Sequence, residues 1–284
     1  MKSVKYFLFV FSIVISALFS CRPKPIDIEV KPGDVKLVVF TQVIPNNVMI
    51  VTLTRSFSPL SGNTSDNLSS LLVSGATVQI KSNNQTYDCF ESSPGIYISV
   101  ATSSFVEGQE YELIAISGTD TVTSKSKMLP KVDFTTVLPS VEKNIGDTNV
   151  FVSFNFNDIA SVSNWYLVNF YKKQANVGGI DGSNYFQNGS NSLIRSILLS
   201  DKEFNGVYHA KVELDSLKWN DSIVVTLSNI DEKYFNFLGF REGKGGVLSQ
   251  MNIEPLSYPT NIKNGYGFFN TFYPDIKFFD LSQY

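Results

Sequence analysis

Groups that carry chemistry are scarce in this chain: its 284 residues include one histidine and two cysteines, and only 17% are charged. With a single histidine, a zinc or copper site would have to be assembled mainly from carboxylates. A Ser/His/Asp triad would need that same residue, and no G-x-S-x-G elbow accompanies it. In Val207-Tyr208-His209-Ala210-Lys211, His209 shares a strand face with Lys211 and Glu213, which points it to solvent. Asp147, Asp158, Asp181, Asp201 and Asp221 fall near turns, where aspartate bonds its own backbone, and none begins a D-x-[DN]-x-[DN]-G calcium loop. Gly265-Tyr266-Gly267 opens no helix, so it is no dinucleotide fingerprint; it predicts a close approach between strand backbones. No catalytic residue, metal or cofactor is expected, and the chain is not read as an enzyme. A pair of carboxylates meeting in space, as in glycoside hydrolysis, is the arrangement a sequence leaves open. Positive charge is also in short supply: the net charge of −3 offers nothing to neutralise a phosphate backbone, which excludes nucleic acid as a partner.

Long apolar runs are absent except at the start. Met1, Lys2 and Lys5 precede an apolar stretch from Tyr6 to Phe19, and Leu18-Phe19-Ser20-Cys21 ends it. The run is shorter than the ~20 residues of a spanning helix. It reads as a secretory signal over residues 1–20, cut so that Cys21 becomes the lipid-bearing first residue. Each buried CH₂ of an acyl chain contributes ~0.8 kcal/mol, so more than one chain on Cys21 gives a stable membrane anchor. Loss of Lys2 and Lys5 with the signal moves the charge from −3 to −5. Cys89 is then the remaining thiol, with no partner for a disulfide. It alternates with Tyr87 on the apolar side of a short strand, which predicts a buried, inert sulfur.

What the chain does contain is strand grammar, with 23 Phe, 13 Tyr and 43% hydrophobic residues. Residues 21–34 form a tether rich in proline (Pro23, Pro25, Pro32), either an extended spacer or a leader without structure. Strands are expected at Lys36 to Phe40, Val48 to Arg55, Ala76 to Lys81, Gln85 to Glu91, Gly95 to Ala101, Tyr111 to Ser117 and Thr121 to Met128. Seven in about a hundred residues predict an immunoglobulin-like β-sandwich over 35–130, with a long loop at 56–74 and a corner capped by the Tyr111 hydroxyl. Leu129-Pro130 and Leu138-Pro139 bracket a domain boundary. The same grammar resumes over 131–284: strands at Val150 to Asn157, Trp165 to Lys172, Val207 to Leu214 and Ser222 to Leu227, and a loop at 176–192. The whole is read as all-β, two tandem β-sandwich domains with one short helix in the second.

That helix is expected from Ile230 to Leu238, capped by Asn229 and ended by Gly239, with Tyr234, Phe235 and Leu238 packing on the sheet. The C-terminal aromatics Tyr266, Phe268, Phe269, Phe272, Tyr273, Phe278, Phe279 and Tyr284 admit two readings. Tyr266, Phe268, Phe269, Phe272 and Tyr273 are candidates for a partner-binding patch, since aromatics carry interface energy. Alternatively the cluster is a second-domain core closed by the last strand, and packing favours this.

Several of these segments resemble the domain-of-unknown-function 4249 family of Bacteroidota outer-membrane lipoproteins. The lipobox cysteine, Val35-Lys36-Leu37-Val38-Val39 and Val51-Thr52-Leu53-Thr54-Arg55-Ser56 are similar to its opening. Gly75-Ala76-Thr77-Val78-Gln79-Ile80, Gly95-Ile96-Tyr97 and Gly108-Gln109-Glu110-Tyr111-Glu112-Leu113 follow its next segments. Thr260-Asn261-Ile262-Lys263-Asn264-Gly265-Tyr266-Gly267-Phe268-Phe269 resembles its closing motif, the most specific match. Acidic residues common just after the anchor are displaced by Arg22-Pro23-Lys24. The resemblance defines no catalytic residues. It implies an outer-membrane lipoprotein, on the extracellular face, docked as a lid or accessory on a β-barrel such as a TonB-dependent transporter. A different class, an accessory of a machine that inserts or exports outer-membrane proteins, is the second expectation. A third, a surface glycan hydrolase or adhesin, requires an open cleft with two carboxylates or a row of exposed aromatics.

Overall fold

The structure is a computed structural model and describes residues 34–44, 48–57, 69–100, 105–144, 147–160, 162–173, 191–204, 206–241 and 259–284. The predicted signal, Cys21 and all but the last residue of the tether lie outside these residues, as do most of the expected loops at 56–74 and 176–192.

Seven strands build the first sandwich: β1 (Leu37–Ile44), β2 (Val48–Arg55), β3 (Thr77–Ser82), β4 (Gln85–Ser93), β5 (Ile96–Val100), β6 (Glu110–Ser117) and β7 (Asp120–Lys127). Alternation sets their faces. In β2 the side chains of Met49, Val51 and Leu53 are buried, while Thr52 and Thr54 stand on the other face, half-buried. The strand order β1-β2-β5-β4 then β3-β6-β7 is that of a constant-type immunoglobulin domain, with β4 also pairing β3 and so joining the two sheets. The Tyr111 hydroxyl accepts a hydrogen bond from the Val106 N–H at 2.8 Å and fixes the turn into β6, as the sequence indicates.

The second sandwich uses the same order except at one strand. Its strands are β8 (Phe134–Asn144), β9 (Asp147–Asn157), β10 (Trp165–Lys173), β11 (Asn191–Ser200), β12 (Val207–Leu214), β13 (Ser222–Ile230) and β15 (Asp275–Asp280), with β14 placed elsewhere. Sheet β12-β9-β8 faces sheet β11-β10-β13-β15, so the fourth strand has moved from the fifth to the third. Between the sheets, Phe154, Phe156, Tyr166 and Phe170 form an aromatic core. The all-β fold with tandem sandwiches is thus the observed one.

Four local details differ from the expectation. The connection between β7 and β8 runs from Met128 to Asp133, and Pro139 itself lies inside β8 opposite Val152, where an edge strand tolerates the missing N–H. The single α-helix among the described residues, α1 (Glu232–Arg241), starts later than expected because Asn229 and Ile230 continue β13. Its cap is Asp231, whose carboxylate accepts from the Tyr234 N–H at 3.0 Å, and Gly239 lies within it. The expected packing of its apolar face does occur: Leu238, Tyr234 and Phe235 cluster with Leu167, Ile230 and Phe272.

The excursion between β13 and β15 leaves the second sandwich altogether. After α1 the chain crosses to the first sandwich, where β14 (Tyr266–Phe268) pairs in parallel with β1, matching Val39 to Gly267. Just before it, Lys263 bridges Thr123 of β7, its N–H donating to the Thr123 carbonyl at 2.8 Å. The two free edges of the first sandwich are therefore held by one segment that belongs, by chain position, to the expected domain at 131–284.

Candidate functional site

The closing motif explains how that crossing is fixed. Gly265 and Gly267 let the backbone come within contact of β1: a Cβ at Gly265 would lie 2.6 Å from the Leu37 carbonyl oxygen, and one at Gly267 only 1.9 Å from that of Val39. Gly267 also has φ +101°, a region glycine alone enters easily. Asn261 clamps the segment from the side, its carbonyl accepting from the Phe269 N–H at 2.8 Å and its amide donating to the Phe269 carbonyl at 2.9 Å. Thr41 of β1 holds the next residue, accepting from the Asn270 N–H at 2.7 Å.

The aromatics of this motif divide among different environments. Phe269 is wholly buried in the first core, beside Leu37 and Val39, and Phe268 is wholly buried between the sandwiches. Its ring lies 4.9 Å from Phe237 and 5.1 Å from Tyr234 of α1. Phe272 packs with Leu167 and Leu238, and Tyr273 is half-buried against the first core. Phe268, Phe269 and Phe272 are therefore structural, and of the five candidates for a partner patch only Tyr266 is broadly exposed. The alternative of a second-domain core holds for the last strand, where β15 pairs with β13 and Phe279 packs on the second core, but Phe269 serves the first sandwich and Phe268 and Phe272 serve the junction.

Holding the two sandwiches together in this way leaves a cleft of about 280 Å³ between them. One wall is the outward face of the first sandwich, with Phe40 and Gln42 from β1, Ile50 and Thr52 from β2, and Ile96 from β5. The other is the outward face of the second, with Leu167, Asn169 and Tyr171 from β10 and Thr226 and Ser228 from β13. Tyr234 of α1 and Phe272 line it as well. Every lining residue is uncharged. Burial pushes the Tyr171 phenol up to about 12 and raises that of Tyr234, so both keep their protons at neutral pH. Across the cleft wall, Asn169 donates to the Tyr171 hydroxyl at 3.1 Å and accepts from Ser196 at 2.7 Å. This is a built recess with neutral polar groups on both sides; of its lining the sequence singles out only Tyr234, as a packing residue, and Phe272, as a partner-patch candidate.

Comparison with known proteins follows the same segments. A family described as a domain of unknown function (DUF4249) matches residues 23–274. The chain belongs to the DUF4249 family. No curated protein matches it. Among solved structures, this DUF4249 chain is similar to a chain of a cytokine receptor complex, at 10% identity over 88% of this chain and 97% of that one, with a TM-score of 0.24. A DUF4785 family protein from Legionella pneumophila is similar at 12% identity over 67% of this chain and 52% of its own, again with a TM-score of 0.24. Scores of 0.24 are too low for either likeness to bear on what the DUF4249 chain does.

The remaining candidates lie apart from the cleft. His209 is exposed on β12 beside Lys211 and Glu213, and among the described residues no three His, Cys, Asp or Glu side chains converge on a metal-sized site. Asp221 behaves as a turn residue, accepting from the Lys218 N–H, whereas Asp158 accepts from the Tyr166 hydroxyl and Asp201 from the distant Asn164 N–H. Asp181 and the side chain of Asp147 lie outside the described residues. Cys89 is half-buried on β4, and burial, with the charge of Asp88 adding to it, pushes its thiol up to about 12. Against an ordinary thiol near 9, the thiolate fraction at pH 8 falls about a thousandfold. Iodoacetamide at pH 8 is expected to leave Cys89 unlabelled in the native protein over a period that labels it fully in urea, as read by peptide mass spectrometry.

Proposed function

We propose that this chain is a lipid-anchored accessory subunit of the outer membrane, exposed on the cell surface, which docks on a β-barrel such as a TonB-dependent transporter and acts by recognition and not by catalysis. The observation that carries the reading is the Cys21 lipobox directly after the apolar run from Tyr6 to Phe19. The architecture supports it: two sandwiches locked by a shared strand make a stiff body, suited to standing over a partner at the end of a tether.

The test uses the full chain with a C-terminal affinity tag. Metabolic labelling with palmitate should mark the parent and not the Cys21→Ala variant, and that variant should leave the membrane fraction. Extraction in mild detergent should bring down a large barrel protein with the parent. Recovery of the parent alone, or a Cys21→Ala chain that stays in the membrane, would refute the proposal. Depletion discriminates the second reading: loss of growth on one nutrient points to uptake, whereas general loss of surface proteins points to an insertion or export machine. Protease shaving of intact cells reads the membrane face.

A further inference from the structure

The cleft is lined from both sides by neutral polar side chains, with aromatic rings beside them. Thr226 and Ser228 are each only 4% exposed, both line the cleft, and neither is among the buried side chains left without a hydrogen-bond partner. A guest that fills this cleft must offer hydrogen-bonding groups to these hydroxyls, because a hydroxyl buried without a partner is costly. Being two apart on β13, they project from the same face at a separation of roughly 7 Å. Gln42 and Thr52 stand on the opposite wall, and Phe40 and Tyr234 supply ring surface at the side.

From this we infer that the cleft between the sandwiches binds a neutral carbohydrate of about one sugar ring. A charged ligand would give up its hydration here with no opposite charge to receive it. A purely apolar ligand would leave the Thr226 and Ser228 hydroxyls stranded. A flat heteroaromatic ring carries its polar groups in one plane, whereas the cleft offers neutral donors and acceptors from two facing walls. A sugar matches both demands: hydroxyls that donate and accept lie around its rim, and its C–H face rests on aromatic rings. The volume of about 280 Å³ sits at the lower edge of the ~300 to 1,000 Å³ of small-molecule sites, which limits the guest to about one ring. This site is internal to the chain and stands whether or not a barrel partner exists.

The experiment is saturation-transfer NMR on the full lipidated chain in a detergent free of sugar head groups, with glucose, galactose, mannose and N-acetylglucosamine as probes and glucuronate and benzyl alcohol as controls. At least one neutral sugar should show transfer, strongest at its ring C–H protons, and both controls should be silent. The Thr226→Val/Ser228→Ala variant, close in volume to the parent, should weaken that sugar at least tenfold with an unchanged melting temperature. Should that variant fold poorly, Gln42→Leu on the opposite wall should give the same weakening. Silence from all four sugars, equal binding of glucuronate or benzyl alcohol, or undiminished binding in the folded variants would overturn the inference.

Discussion

Replacing Gly267 by alanine should destabilise the protein by about 4 kcal/mol. Two terms add: the φ of +101° costs a side chain roughly 1 to 3 kcal/mol, and a Cβ 1.9 Å from the Val39 carbonyl oxygen must push β14 off β1 at a further ~1 to 3 kcal/mol. The new methyl would also lie 2.8 Å from the Val39 carbonyl carbon and 3.0 Å from its nitrogen, so no flexible side chain can yield to it. At ~2 to 4 °C per kcal/mol for chains of this order, the melting temperature should fall by about 10 °C. Because β14 is what closes the β1 edge, the variant should also be cut by protease near the junction. Gly206→Ala is the control: its φ is +92° but nothing lies within 4 Å of the added carbon, so about 1 kcal/mol is expected. Equal losses in the two variants would show that backbone strain alone, and not the approach to β1, sets the effect.

Phe156→Ala should cost a similar amount by another route. The ring is fully buried between the sheets of the second sandwich and meets Tyr166 edge-on at 4.9 Å, Tyr208 at 5.4 Å and Phe204 at 5.9 Å. Truncation removes the buried surface and leaves a cavity whose aromatic lining cannot collapse far, for a loss of about 4 kcal/mol. Urea denaturation followed by circular dichroism should show the midpoint moving with little change in slope. A loss under about 1 kcal/mol would mean that Tyr208 and Phe204 close over the gap, and that the core is less tightly built than its distances indicate. The two variants differ in what they spare: Phe156→Ala leaves the β1–β14 pairing intact, while Gly267→Ala leaves the second core intact.

These same residues show what a sequence can and cannot reveal. Val150, Val152, Phe154 and Phe156 alternate with polar neighbours, and β9 is where that pattern places it. Strand β11 was not anticipated, since Leu193-Ile194-Arg195-Ser196-Ile197-Leu198-Leu199 alternates poorly; its register shifts opposite Phe170 and Tyr171, which spoils the period of two. Pro139 misleads because proline punctuates most sheets but not their edges. The helix start shifts because Asn229 and Asp231 are both good caps, and only the pairing of β13 with β10 decides between them. The glycine pair was legible as a close approach, but its target was not, because Val39 lies far away along the chain and no local pattern encodes a parallel pairing. The cleft was hidden for a related reason. Thr226 and Ser228 look like the wet face of a strand, and they become buried only because a second sheet stands opposite.

The strand shared between β1 and β14 also sets an order of events. Wherever the chain folds N-terminus first, residues 35–130 are available before the rest, yet their outer edges stay unpaired until Lys263 and Gly267 arrive. Contacts of such long sequence separation form slowly, and an unpaired edge invites association with other chains in the meantime. The N-terminal half is then held in an unfinished state, and the final few dozen amino acids act as the latch that ends its exposure.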